Sequence, residues 1–185
     1  MKTKPVWLAT DAIALTALMW CIYLLDLILP GHFASLGIAP RSFSGLFGIF
    51  TAPLIHGGLW HIVANTLPFV VLGSMVQIYG RQTFWSVTLI VVVVSGLCVW
   101  LFSSAGRVVG ASGLVFGYWG FLIAYAYFTR SVKAVLLALV VVVLYGTLIF
   151  GLMDLRAHIS WSAHFFGLGA GVLAAALLRP RLADS

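Results

Sequence analysis

The amino-acid sequence predicts an all-α membrane protein, a bundle of six spanning helices, on three observations. Charge is scarce: 63% of the 185 residues are hydrophobic and 8% are charged, with a mean hydropathy of +1.14, too few charges to cover a water-soluble globule. The apolar residues fall into six runs of roughly 20, the length that crosses a hydrocarbon core as a helix. No linker rich in Ser, Pro or charge separates these runs, so residues 1–185 read as a single domain.

The runs lie near 10–29, 57–79, 84–104, 111–128, 134–152 and 160–178. The first follows Met1-Lys2-Thr3-Lys4; it is too long for a signal-peptide core and has no small-x-small cleavage site, so it is expected to remain as a span. Between the first two runs, residues 43–55 are apolar but short and broken by Gly45, Gly48 and Pro53, which suits an interfacial or re-entrant segment. Pro68 removes one hydrogen bond within the second run and is expected to kink it. In the fourth run Gly113, Gly117, Gly120 and Ala124 form a stripe of small residues, and Ala163, Gly167, Gly171 and Ala174 form another in the sixth. Such stripes let membrane helices approach closely, and by themselves they carry no catalytic message.

Basic residues set the expected orientation. Lys2, Lys4, Arg81, Arg130, Lys133, Arg179 and Arg181 fall on one side of the six spans, and Arg41, Arg107 and Arg156 on the other. The positive-inside rule then puts both termini in the cytoplasm of a cell whose plasma (inner) membrane holds the chain. The formal charge of +6 comes from bases scattered singly or in pairs, a topology signal and not a nucleic-acid footprint. Cys21 and Cys98 sit in apolar runs without CxxC spacing, which gives no support to a disulfide or metal role.

Polar residues inside apolar runs are where chemistry is expected, because burying them is costly. Ser112 opens the fourth run between glycines, in Gly110-Ala111-Ser112-Gly113, and His164 lies near the start of the sixth. A hydroxyl becomes a nucleophile when a neighbouring imidazole accepts its proton, so the two suit a dyad. The competing reading has Ser112 back-bonding within its helix and His164 bonding a carbonyl. His61 and Asn65 are four apart on the second run, on one helix face, and both donate hydrogen bonds without full charge. With the Ser112 amide at a helix start they suit an oxyanion hole, or else a plain interhelical bond. Phe116, one turn after Ser112, is placed to pack on His164 or to act as ordinary core.

No carboxylate is positioned as a third triad member: Asp11, Asp26 and Asp184 fall near helix ends or in the tail, and Asp154 in the loop before the sixth run. His56 and His61 are five apart without the Glu of His-Glu-x-x-His, which argues against a zinc protease, and no metal is expected. Haem held by two histidines is physically feasible but would leave Ser112, Asn65 and Gly110 without a role. A small transporter lacks mid-membrane carboxylates and an evident inverted repeat.

His56, His61 and Asn65 in His-x-x-x-x-His-x-x-x-Asn, Gly110-Ala111-Ser112-Gly113 as Gly-x-Ser-Gly, and Ala163-His164-x-x-Gly167-x-x-x-Gly171 together resemble the rhomboid family of intramembrane serine proteases. The resemblance implies a rhomboid-like bundle whose short fourth helix begins within the membrane, at the floor of a water-filled cavity open to the outside. It implies Ser112 as nucleophile, His164 as general base and then acid, and His61, Asn65 and the Ser112 amide as oxyanion hole. His56 would support the first loop, and Gly110, Gly113, Phe116, Gly167 and Gly171 the surrounding frame. The implied substrates are single-span membrane proteins cut near the outer end of the span, with no cofactor. The chain departs from the family at Phe47 and Gly48, where many relatives carry Trp-Arg, and at Phe116, where tyrosine is frequent. A rhomboid-like protein that binds transmembrane helices without cutting them is the rival reading; such relatives usually lose the serine or the histidine, and both are present here.

Overall fold

The computed structural model describes residues 9–29, 32–104, 106–153 and 161–179, and among them the chain is helical with no strand. The long helices are α1 (Thr10–Ile28), α2 (Leu59–Gln77), α3 (Arg81–Phe102), α4 (Ser112–Thr129), α5 (Val132–Tyr145) and α6 (Trp161–Leu178). By length and composition α1, α2, α3 and α6 are able to cross a membrane. The 14 residues of α5 fall short, and a 3₁₀ stretch over Gly146–Met153 continues it where one helix was expected over 134–152. Gly146 and Gly151 are weak helix formers, which accounts for the loosened geometry. The helix starts also differ slightly from expectation: α2 begins only after Gly57-Gly58, and α3 begins at Arg81, directly after Gly80 turns the chain at φ 117°.

Burial follows the helical period. On α1 the buried residues are Asp11, Ala12, Thr16, Met19 and Tyr23, one face turned to α2, where Ala12 meets Gly73 and the Trp20 indole donates to Thr66 Oγ1 at 3.0 Å. On α2 the buried Ile62, Asn65, Phe69, Leu72 and Val76 repeat at three and four, and the helix runs through Pro68. α4 is different. Every residue from Leu114 to Leu122 is buried, as expected of a helix surrounded on all sides. It touches α2, α3, α5 and α6, while α1 packs outside on α2. Tyr118, in the middle of this helix, is covered by protein: it is fully buried and shares a 2.8 Å hydrogen bond with Thr88.

At the far end of α2 and α3, the Asp11 carboxylate receives Arg81 Nε at 2.9 Å and Gln77 Nε2 at 2.8 Å, tying three helices together. The segment between α1 and α2 runs through 3₁₀ turns at Phe33–Leu36, Phe43–Leu46 and Ala52–Leu54 and a one-turn helix at Gly48–Thr51. An antiparallel bridge pairs Ile38 with Val108, each amide donating to the other's carbonyl at 2.9 Å. Arg41 donates to the Leu101 and Ser103 carbonyls at the end of α3, and Arg107 to the Ser35 and Gly37 carbonyls. Beyond any role in orientation, both arginines thus fasten loop backbone. Gly48 lies so close to the Gly37 backbone that no side chain fits, so a Trp-Arg pair is not accommodated here as it stands. Phe43, Phe47 and Phe50 point outward, an apolar surface suited to lipid.

Candidate active site

The loop leading to Ser112 is held from two sides. Gly110 sits at φ 115°, a left-handed value that favours glycine, and its amide donates to the Ala52 carbonyl at 2.8 Å. A Cβ at Gly110 would also lie 2.5 Å from His61 Nε2, so any side chain there would displace that imidazole. The buried Ala111 amide donates to His56 Nε2 at 3.4 Å. Ser112 follows as the first residue of α4, partly exposed, with the amides of the opening turn lacking acceptors within their own helix.

His56 precedes α2 and is 2% exposed. Because Nε2 accepts from Ala111, the proton lies on Nδ1, beside the Leu54 carbonyl. Burial, and then the neighbouring His61, hold its pKa down to about 4, so the ring is neutral near pH 7. The two imidazoles meet edge to face, centroids 5.0 Å apart. Asn65, one turn beyond His61 and buried, donates through Nδ2 to the His61 carbonyl at 2.8 Å. Its amide carries a second hydrogen that this bond does not use.

His164 lies in the first turn of α6, and α6 packs directly on α4 with no helix between. The close approach depends on particular glycines. Gly167 abuts the Gly113 backbone and Gly171 the Gly117 carbonyl, leaving no space for a Cβ, while a Cβ on Gly120 would lie 2.7 Å from the Leu168 carbonyl. Gly113 is less constrained, since a Cβ there would make ordinary contact at 3.5 Å with the Ala163 carbonyl. Gly117 turns its Cα toward Val91 of α3, so the expected stripe is shared between two neighbours.

Phe116 stacks on His164, ring centroids 4.3 Å apart and planes 11° from parallel. Phe116 and Ser112 are four apart on α4, so the imidazole lies over the face that also carries the serine. His164 Nδ1 is 2.9 Å from the Gly151 carbonyl. A carbonyl only accepts, so Nδ1 carries the proton and Nε2 is left with a lone pair. The start of α6 is also tied to α3, where the buried Ser162 hydroxyl donates to Ser103 Oγ at 3.1 Å. Asp11 is engaged with Arg81 and Gln77, and Asp26 accepts from the Phe33 amide at 2.7 Å; Asp154 lies outside the described residues.

Behind the loop is a cavity of about 30 Å³ lined in part by Ser95, Gly110, Gly113 and Ala163, large enough for one water. Sequence reasoning singled out neither Ser95 nor Gly151. A hydroxyl among apolar residues on α3 and a carbonyl offered by the main chain have no motif to reveal them.

The arrangement has the makings of proton transfer from a hydroxyl to an imidazole, with amide donors nearby. The rhomboid domain model matches residues 44–181, which takes in every site residue above. The chain is 34% identical over 186 residues to an uncharacterized protein of Mycobacterium tuberculosis, covering 95% of this chain and 78% of that one. An uncharacterized protein of Mycobacterium leprae is 32% identical over 183 residues, covering 93% and 72%. With a matched region that spans most of its length, this chain belongs to the rhomboid family.

Proposed function

We propose that the protein is an intramembrane serine endopeptidase that cuts transmembrane segments of other membrane proteins with a Ser112–His164 dyad. The observation that supports this reading is the state of His164: stacked on Phe116 and bonded through Nδ1 to the Gly151 carbonyl, which puts the proton on Nδ1 and makes Nε2 the basic nitrogen. In the proposed reaction Nε2 takes the Ser112 proton as Oγ attacks the scissile carbonyl. The imidazolium then gives that proton to the leaving amide nitrogen, and a water repeats the sequence on the acyl-enzyme. The oxyanion is received by the Ser112 amide, His61 and the second hydrogen of the Asn65 amide. His56 acts indirectly, by holding Ala111 and thereby the loop that carries Ser112.

The same reading places all six helices in the bilayer. α4 is shielded by its neighbours, and α5 together with Gly146–Met153 completes the fifth crossing. Both termini face the cytoplasm. The substrate is a transmembrane helix of another protein, unwound near its outer end, and no cofactor takes part.

The reading is tested by reconstituting the protein in liposomes with a single-span substrate. Cleavage that disappears in Ser112→Ala and in His164→Ala is the expected result; binding of the substrate helix without any cleavage would favour a silent rhomboid-like protein instead.

A further inference from the structure

The Nδ1 side of His164 is held by the end of α5 through a main-chain carbonyl. The Gly151 carbonyl is 2.9 Å from Nδ1, and Phe116 covers a face of the same ring. A Cβ on Gly151 would lie 2.9 Å from Phe116 Cζ and 3.7 Å from His164 Nδ1. A ring from α4, an imidazole from α6 and a carbonyl from the 3₁₀ continuation of α5 therefore interlock. Of these elements α5 is the least embedded: within it only Ala134 and Val141 are buried, and Leu136, Leu139, Val143 and Leu144 are exposed. Elements with few buried contacts are those that open at low cost.

We infer that Gly151 is a positioning residue, whose carbonyl fixes the His164 ring with Nδ1 protonated and so makes the readiness of the base depend on α5 being seated against α4 and α6. This rests on the Ser112–His164 reading. When the end of α5 moves outward, the imidazole loses this carbonyl, and the preference for a proton on Nδ1 over Nε2, where a base needs its lone pair, is weakened. Attack on the substrate then waits for α5 to return. A methyl group at 151 would press on the tip of the Phe116 ring, so either the ring or the backbone that carries the carbonyl has to shift.

The test uses the full-length protein in detergent or liposomes, with a small fluorophosphonate that reaches Ser112 without the passage of a helix. Gly151→Ala is expected to label about 100-fold more slowly, the cost of a small misplacement in a catalytic geometry, and to lose kcat on a transmembrane substrate with little change in KM. In a Phe116→Leu background, where the methyl has room, the same substitution is expected to add no further loss. Nitrogen-15 spectra of histidine-labelled wild-type protein are expected to show His164 protonated on Nδ1; this measurement needs no substitution and decides the matter if Gly151→Ala fails to fold. The inference is overturned by small-probe labelling that stays normal while helix cleavage falls, by an equal penalty in both backgrounds, or by a proton on Nε2 in the wild type. A wild type that neither labels nor cuts removes the dyad and this inference together, whereas a wild type and a Gly151→Ala variant that label equally remove the inference alone.

Discussion

His164 and Asn65 each spend one polar group on structure, and in both cases this defines what remains for chemistry. The Nδ1 bond to Gly151 leaves Nε2 as the basic atom, and the Asn65 bond to the His61 carbonyl leaves one amide hydrogen to donate elsewhere. Replacing His61 or Asn65 by alanine is expected to lower kcat by about 100-fold or more, the usual loss for one oxyanion donor, while Ser112 still labels; turnover on a transmembrane peptide checks it. His56 gives a different signature. Its folded pKa of about 4 lies below its ordinary value near 6.5, so between these values the unfolded chain binds a proton that the folded chain refuses. Stability should therefore fall as pH drops from about 6.5 to 4, by about 3 kcal/mol at most, and level off below. Unfolding midpoints across that range should show the slope in wild type and a flatter one in His56→Gln. These polar residues were legible in the sequence because an imidazole or amide in an apolar run stands out. The bond to Gly151 was not, since every residue has a carbonyl.

Between elements, the contact of α4 with α6 rests on absent side chains. Gly167 and Gly171 press on the backbone of α4, and Gly113 does not press on α6 in the same way. Gly167→Ala is expected to separate the helices, costing about 1–3 kcal/mol as overpacking does, and to reduce turnover, whereas Gly113→Ala should be tolerated in stability. Thermal unfolding in detergent distinguishes the two. The spacing of small residues announced this contact in the sequence, but the spacing alone did not say that Gly117 serves α3. The segment before α2 was legible as too short and too broken to span. Its fastening by Arg41 and Arg107 was hidden, because a cation that binds distant carbonyls leaves no periodic trace.

For the whole molecule, composition was enough to indicate a membrane bundle, since so few charges leave no soluble alternative. It was less able to fix how the ends of helices behave: the second half of the fifth run becomes 3₁₀, and α4, which is not among the helices long and apolar enough to cross a membrane, becomes the centre. The proposed orientation predicts that, with Cys21 and Cys98 replaced, Ser42→Cys reacts with an impermeant thiol reagent in intact cells and Ser131→Cys does not; the reverse pattern would invert the topology. The central claim is that this bundle brings a hydroxyl and an imidazole together to cut a peptide bond. The most direct measurement is mass spectrometry of the purified protein after exposure to a fluorophosphonate. The account predicts one adduct, on Ser112, lost in His164→Ala together with cleavage of a transmembrane substrate; cleavage that persists in Ser112→Ala would contradict it.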